Sequence, residues 1–224
     1  MSDVPPPPPP PPPPYGVPSS SPDVGAAISY GWNKFTANVG PLLGIILAPI
    51  AVLVVFEIIG LFVIRGAGAI GLILFFALAL LIGIVAYIGI FNAGLMATSG
   101  QRVEFAKAFQ SDRWGEWIAF ALLYGLMVAV GYALCFVGAL FVIAFWGLAP
   151  FYFLEQGRGV TESLGASLAV TRSTPGLPVA LGVLGLVGWV GGLICGIGGF
   201  VTIPVAIIGA AFLYRQVVGQ TPAP

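Results

Sequence analysis

A 224-residue chain that is 58% hydrophobic and 7% charged is no ordinary water-soluble domain, since such domains carry charge on about a quarter of their residues. Eight basic and eight acidic residues cancel, which sets nucleic acid aside as a partner. With no histidine the chain lacks the usual general base and the commonest metal ligand, and two cysteines cannot build a four-thiolate metal site. We expect no catalytic set, metal or cofactor.

The chain opens with a Pro-rich tail, residues 1–22, in which Pro5 to Pro14 are ten consecutive prolines. Such a run forms neither helix nor sheet, and its extended polyproline II form spans roughly 30 Å. Two readings stand: a ligand for an aromatic-lined groove on a partner protein, or an inert spacer. It does not read as a signal peptide, because no basic region precedes an apolar one. Ser21-Pro22-Asp23 then reads as a helix start, with Ser21 as the cap, Pro22 at the first helical position and Asp23 as an acid near the positive helix end. Val24, Ile28, Trp32, Phe35 and Val39 follow at helical spacing on one face, so this segment is expected to lie in the membrane interface. Trp32 and Phe35 are its anchors, with Lys34 beside them.

Uncharged stretches set the rest of the architecture. Trp117 to Leu154 and Gly176 to Tyr214 run for 38 and 39 residues without a charge. A single crossing needs roughly 20 residues, so each stretch predicts two short crossings. The expected spans are about 42–64, 69–96, 117–135, 138–155, 177–196 and 199–217. Pro49, Pro150 and Pro204 fall inside spans, where proline kinks a helix.

An eight-residue frame, G-x-x-x-C-x-x-G, occurs at Gly131–Cys135–Gly138 and again at Gly191–Cys195–Gly198, sixty positions later. In that register Glu155 falls on Arg215; shifted by 59, Arg113 falls on Arg172. Lys34 holds the corresponding position in the first third of the chain. The prediction is an all-α polytopic bundle of six transmembrane helices over residues 23–219. It is built as three repeats of an interfacial helix plus a helical hairpin, about 24–96, 103–155 and 161–217. Cys135, Gly138, Cys195 and Gly198 then mark tight hairpin turns. Free, buried thiols are expected over a disulfide, because small residues at packed membrane interfaces already account for both cysteines.

Basic residues give orientation. Lys34, Arg102, Lys107, Arg113, Arg158, Arg172 and Arg215 fall on one side of the six spans and Arg65 on the other. This predicts cytoplasmic termini in a multi-pass plasma-membrane protein. Glu57 is the one ionisable residue well inside an expected span. An intramembrane carboxylate is a functional candidate; the alternative is a side chain reaching the outer interface or pairing with Arg65. The G-x-G-x-x-G match at Gly66–Gly71 sits in an expected turn between spans, not after a strand, and reads as a turn. Gly188, Gly192 and Gly196 form overlapping G-x-x-x-G steps, suited to packing within the chain or to a dimer interface. Asp112 and Glu116 share a helical face beside Arg113, which reads as a polar surface.

The segments DVGAAISYGWNKFTANVGPLL, GVTESLGASLAVTRST and FLYRQVVGQ, together with the Pro-rich tail, resemble a broad group of bacterial, actinobacterial-like integral membrane proteins. These are similar to the membrane domain attached to some glycerophosphodiester phosphodiesterases. The resemblance, over residues 23–219, implies a six-span plasma-membrane protein. It implies no phosphodiesterase activity, since that chemistry belongs to a separate domain whose histidines this chain lacks. The expected role is non-enzymatic: a bilayer-embedded protein that organises or maintains the membrane while its tail recruits a protein partner. The alternative is a transporter or channel-like protein for a small or lipophilic solute, with Glu57 facing its cavity.

Overall fold

The computed structural model describes residues 22–63, 68–134, 136–193 and 197–224, and all regular structure among them is helical. In chain order the helices are α1 (Val24–Ala37), α2 (Val39–Val63), α3 (Gly68–Thr98), α4 (Phe105–Ala108), α5 (Trp114–Ala133), α6 (Val137–Trp146), α7 (Ala149–Gln156), α8 (Val160–Ser173), α9 (Leu177–Leu193) and α10 (Gly199–Val217). Four helical stretches, α2, α3, α5 and α10, are long and apolar enough to cross a membrane. So is the α6–α7 stretch from Val137 to Gln156, and the bent pair α8–α9 makes a sixth if taken as one span. The tail, Arg65, Gly66, Cys135, Cys195 and Gly196 lie outside the described residues.

Local chemistry sets the helix boundaries. Asp23 caps α1 by accepting a hydrogen bond from the Ala26 amide at 3.0 Å. A single residue, Asn38, separates α1 from α2, and its side-chain amide donates to the Lys34 carbonyl at 2.9 Å. The fourth expected span is broken. Pro150 has no N–H to offer the Trp146 carbonyl, so α6 ends and α7 restarts with proline in its first turn. Pro49 and Pro204, by contrast, are carried inside α2 and α10. Pro175 ends α8, Gly176 turns with φ +84°, and α9 leaves at 114° to α8.

One element departs from expectation. The helix anticipated ahead of the second hairpin is a single turn, α4, whereas α1 and α8 each run for 14 residues. Ser111 competes with helix by bonding locally; its hydroxyl accepts from the Arg113 amide at 3.3 Å. The chain therefore stays irregular until Arg113 opens α5.

The bundle is organised around α10, which packs against α1, α2, α3 and α9. Just over half (56%) of its apolar window is buried, against 6% for α3. The contact with α1 is made by small residues. A Cβ at Gly31 would stand 2.3 Å from the Val205 carbonyl oxygen, and one at Gly209 would stand 3.0 Å from that of Ala27. The two backbones touch because Ala27 and Gly31 of α1 meet Gly209 and the Val205 backbone of α10. The inward face of α1 is thus Ala27, Gly31 and Phe35. Of the two expected anchors, Trp32 is 51% exposed and Phe35 is 5% exposed, packed with Leu42, Ile45, Met96 and Ile208. Large side chains along the first halves of α3 and the second half of α2, such as Ile73, Phe76, Val55 and Ile59, stay exposed.

Candidate functional site

Two features of the bundle have the makings of a site. The first is an apolar cavity of about 360 Å³ between the two C-terminal hairpins and α3. Tyr87 and Phe91 of α3 form one wall, with Tyr124 and Tyr132 of α5 beside them. The Tyr87 ring lies 6.2 Å from Tyr124 and 4.5 Å from Phe91. Leu181, Leu184 and Gly188 of α9 face Ala206 and Ala210 of α10 across the remaining wall. Phe136 and Trp189, ring centroids 3.9 Å apart, join the lining where α5 meets α6. Phe136 has φ +61°, the one positive value at a non-glycine position among the described residues. That conformation is strained for a bulky side chain and persists where surrounding structure enforces it, a pattern that concentrates at ligand clamps and switches.

The glycines of α9 make this cavity possible. A Cβ at Gly185 would stand 2.9 Å from Ile143, and one at Gly188 would stand 3.5 Å from the Ala206 methyl. Both glycines are spent on neighbours within the chain. Gly192, the next step of the G-x-x-x-G pattern, has open space at its Cβ position.

The second feature is polar and lies where α3, α7 and α10 all end. Arg215, one residue from buried Tyr214, is 7% exposed. Its guanidinium pairs with Glu155 and donates to the Gln220 side chain, to the Thr98 hydroxyl at 3.3 Å and to the Leu95 carbonyl at 3.5 Å. A charge this far from water requires such a full set of partners. Gln156, next to Glu155, donates to the Tyr214 hydroxyl at 3.0 Å. The C-terminal segment closes over this end: the Ala223 amide donates to the Thr98 carbonyl at 2.9 Å and the Ala223 carbonyl accepts from Tyr30 at 2.8 Å. Glu155 and Arg215, set on the same position by the sixty-residue register, thus touch each other. Around them opens a polar cavity of about 380 Å³.

The other sequence-selected residues are spread around the bundle. Lys34 donates to the Pro224 carbonyl and sits 5.5 Å from the Tyr30 ring. Arg113 pairs with Glu116 and lies over Phe153 at 4.9 Å, so Glu116 belongs to an ion pair and not to a carboxylate couple with Asp112. Arg172 is exposed on α8. Gly138 lies in the first turn of α6, and Gly198 precedes α10 as its N-cap. Both lie against the first glycine of their frame: a Cβ at Gly138 would stand 2.8 Å from the Gly131 carbonyl oxygen, and one at Gly198 would stand 2.4 Å from that of Gly191. Glu57 is exposed on α2 and lines neither of these two cavities.

Sequence reading missed the aromatic cavity, whose rings come from α3, α5, α9 and the α5–α6 junction. It also missed the pairing of α1 with α10, although Ala27 and Gly31, four apart, carry the small-residue signal. Compared with protein-family models, curated proteins and solved structures, the chain finds no match; its long apolar helices are compatible with an integral membrane protein.

Proposed function

We propose that this protein is a non-enzymatic, multi-pass membrane protein that takes a lipophilic molecule from the bilayer into the cavity between its C-terminal hairpins. The aromatic lining carries this reading. Tyr87, Phe91, Tyr124 and Phe136 offer flat apolar faces with few polar groups, the pattern of a site for a hydrophobic ligand. Apolar helix faces open towards lipid supply an entry path that needs no water. The test is photolabelling of the purified protein in detergent with a diazirine fatty acid, followed by peptide mapping. The reading expects label on Tyr124 and Leu184, which are 7% and 2% exposed, and its loss when Gly188→Leu fills the cavity. Label confined to outward residues such as Ile73 and Phe76 sinks it.

A second reading rests on the decaproline. The start of α1 lies beside the α8–α9 bend, with Pro22 3.8 Å from a Cβ at Gly176. In this reading the run Pro5–Pro14 is a ligand for an aromatic-lined groove on a partner protein. Affinity capture with and without residues 1–20 tests it: recovery of the same proteins from both removes its support. This reading places both termini in the cytoplasm of a plasma-membrane protein. It includes a three-repeat origin, favoured by the Glu155–Arg215 contact and the glycine pairs, and kinship with the membrane domain of the phosphodiesterases named above.

A further inference from the structure

We propose that the polar cavity beside Arg215 binds the phosphate group of a phosphate ester, with Lys107 as its cation. Glu155 and Arg215 neutralise each other, and Arg215 spends further donors on Thr98, Leu95 and Gln220. That pair is wall, not ligand. Lys107 also lines the cavity, and its partner is Glu104, three residues away on the same short helix at 3.0 Å. Both side chains of that pair are about half exposed, 57% and 47%, so water competes for it and the ammonium is free to turn to a ligand.

Neutral donors complete the set. Gln101 and Gln110 also line the cavity, and their side-chain amides make no hydrogen bond among the described residues. Asn92 fixes the wall between them, its side-chain amide donating to the Ala108 carbonyl at 2.9 Å and the Gln110 carbonyl at 3.5 Å. This ties the short helix carrying Lys107 to α3. An ammonium and two amides around one opening match a group with several acceptor oxygens and a negative charge. The depth is suitable too. Three apolar stretches, ending at Thr98, Gln156 and Val217, stop around this cavity, the level at which a bilayer changes from acyl chains to phosphate. A lipid headgroup and a soluble phosphate ester share that chemistry.

The experiment uses the full chain in an uncharged detergent, titrated with three probes. These are dioctanoyl phosphatidylglycerol, glycerol 3-phosphate, and dioctanoylglycerol as the phosphate-free control, with bound probe read by native mass spectrometry. Lys107→Gln is compared with Arg172→Gln, which removes the same charge from an exposed site on α8. Gln110→Leu is the second variant. We expect Lys107→Gln to weaken binding of the phosphate probes by about tenfold, Gln110→Leu to weaken it by less, and Arg172→Gln to match the wild type. Binding of phosphatidylglycerol alone identifies a lipid headgroup as the source; equal binding of glycerol 3-phosphate identifies a soluble ester. Equal binding of the phosphate-free control, or equal affinities in Lys107→Gln and Arg172→Gln, overturns the proposal.

Discussion

Removing the carboxylate from the Glu155–Arg215 pair tests whether that contact holds the ends of α7 and α10 together. Truncating one partner of a buried ion pair costs about 3–5 kcal/mol, because the other is left charged and dry. Glu155→Ala should fall below that range for two structural reasons. The Glu155 side chain is 25% exposed, so water can reach the vacated space. Arg215 also keeps its bonds to Thr98, Leu95 and Gln220. We expect a loss of about 2 kcal/mol. Arg215→Ala should cost more, about 3 kcal/mol, since it also removes a buried stem and leaves four acceptors, Glu155 among them, without their donor. The double variant should cost less than the sum, by about 1–2 kcal/mol, because the carboxylate has no function once the guanidinium is gone. Reversible unfolding by dodecyl sulfate in mixed micelles measures all three. Strict additivity, or a Glu155→Ala loss below about 0.5 kcal/mol, the range of ordinary surface substitutions, refutes the reasoning.

The same unfolding assay examines the glycine contacts. Gly131→Ala puts a methyl 2.5 Å from the Ala139 amide nitrogen, backbone that cannot move aside, and should cost about 1–3 kcal/mol. Gly192→Ala, with open space around its Cβ, should be neutral or stabilise by up to about 1 kcal/mol through helix propensity. Gly31→Val should separate α1 from α10, since even a Cβ lies 2.3 Å from the Val205 carbonyl oxygen; the expected readout is faster proteolysis after Lys34. Trp32, exposed on α1, should be quenched by probes at headgroup depth in proteoliposomes, and quenching by aqueous reagents alone would contradict an interfacial position.

What was legible in the sequence was whatever is written locally. Charge-free length gave the apolar helices, and a helix start was read at Ser21-Pro22-Asp23, although the residue that caps α1 is Asp23 and not the serine. The G-x-x-x-C-x-x-G frame located glycines that press against each other in both C-terminal hairpins, because contacts seven residues apart are set by a short segment. What was not legible depends on which helices become neighbours. The face of α1 illustrates this. Ranking side chains by hydrophobicity picks Val24, Ile28, Trp32 and Phe35, yet the face that packs is Ala27, Gly31 and Phe35. Lipid rewards apolar surface as well as protein does, so hydrophobicity cannot say which face turns inward; the capacity for close approach can. The same physics explains Glu57 and Arg215. Both are ionisable residues in apolar helices, Glu57 well inside α2 and Arg215 in the last turn of α10. Position in the bundle separates them: α10 is surrounded and supplies Arg215 with partners from α3, α7 and the C-terminal segment, whereas α2 carries Glu57 on an exposed face. A buried charge therefore identifies its site only once the helices that can satisfy it are known.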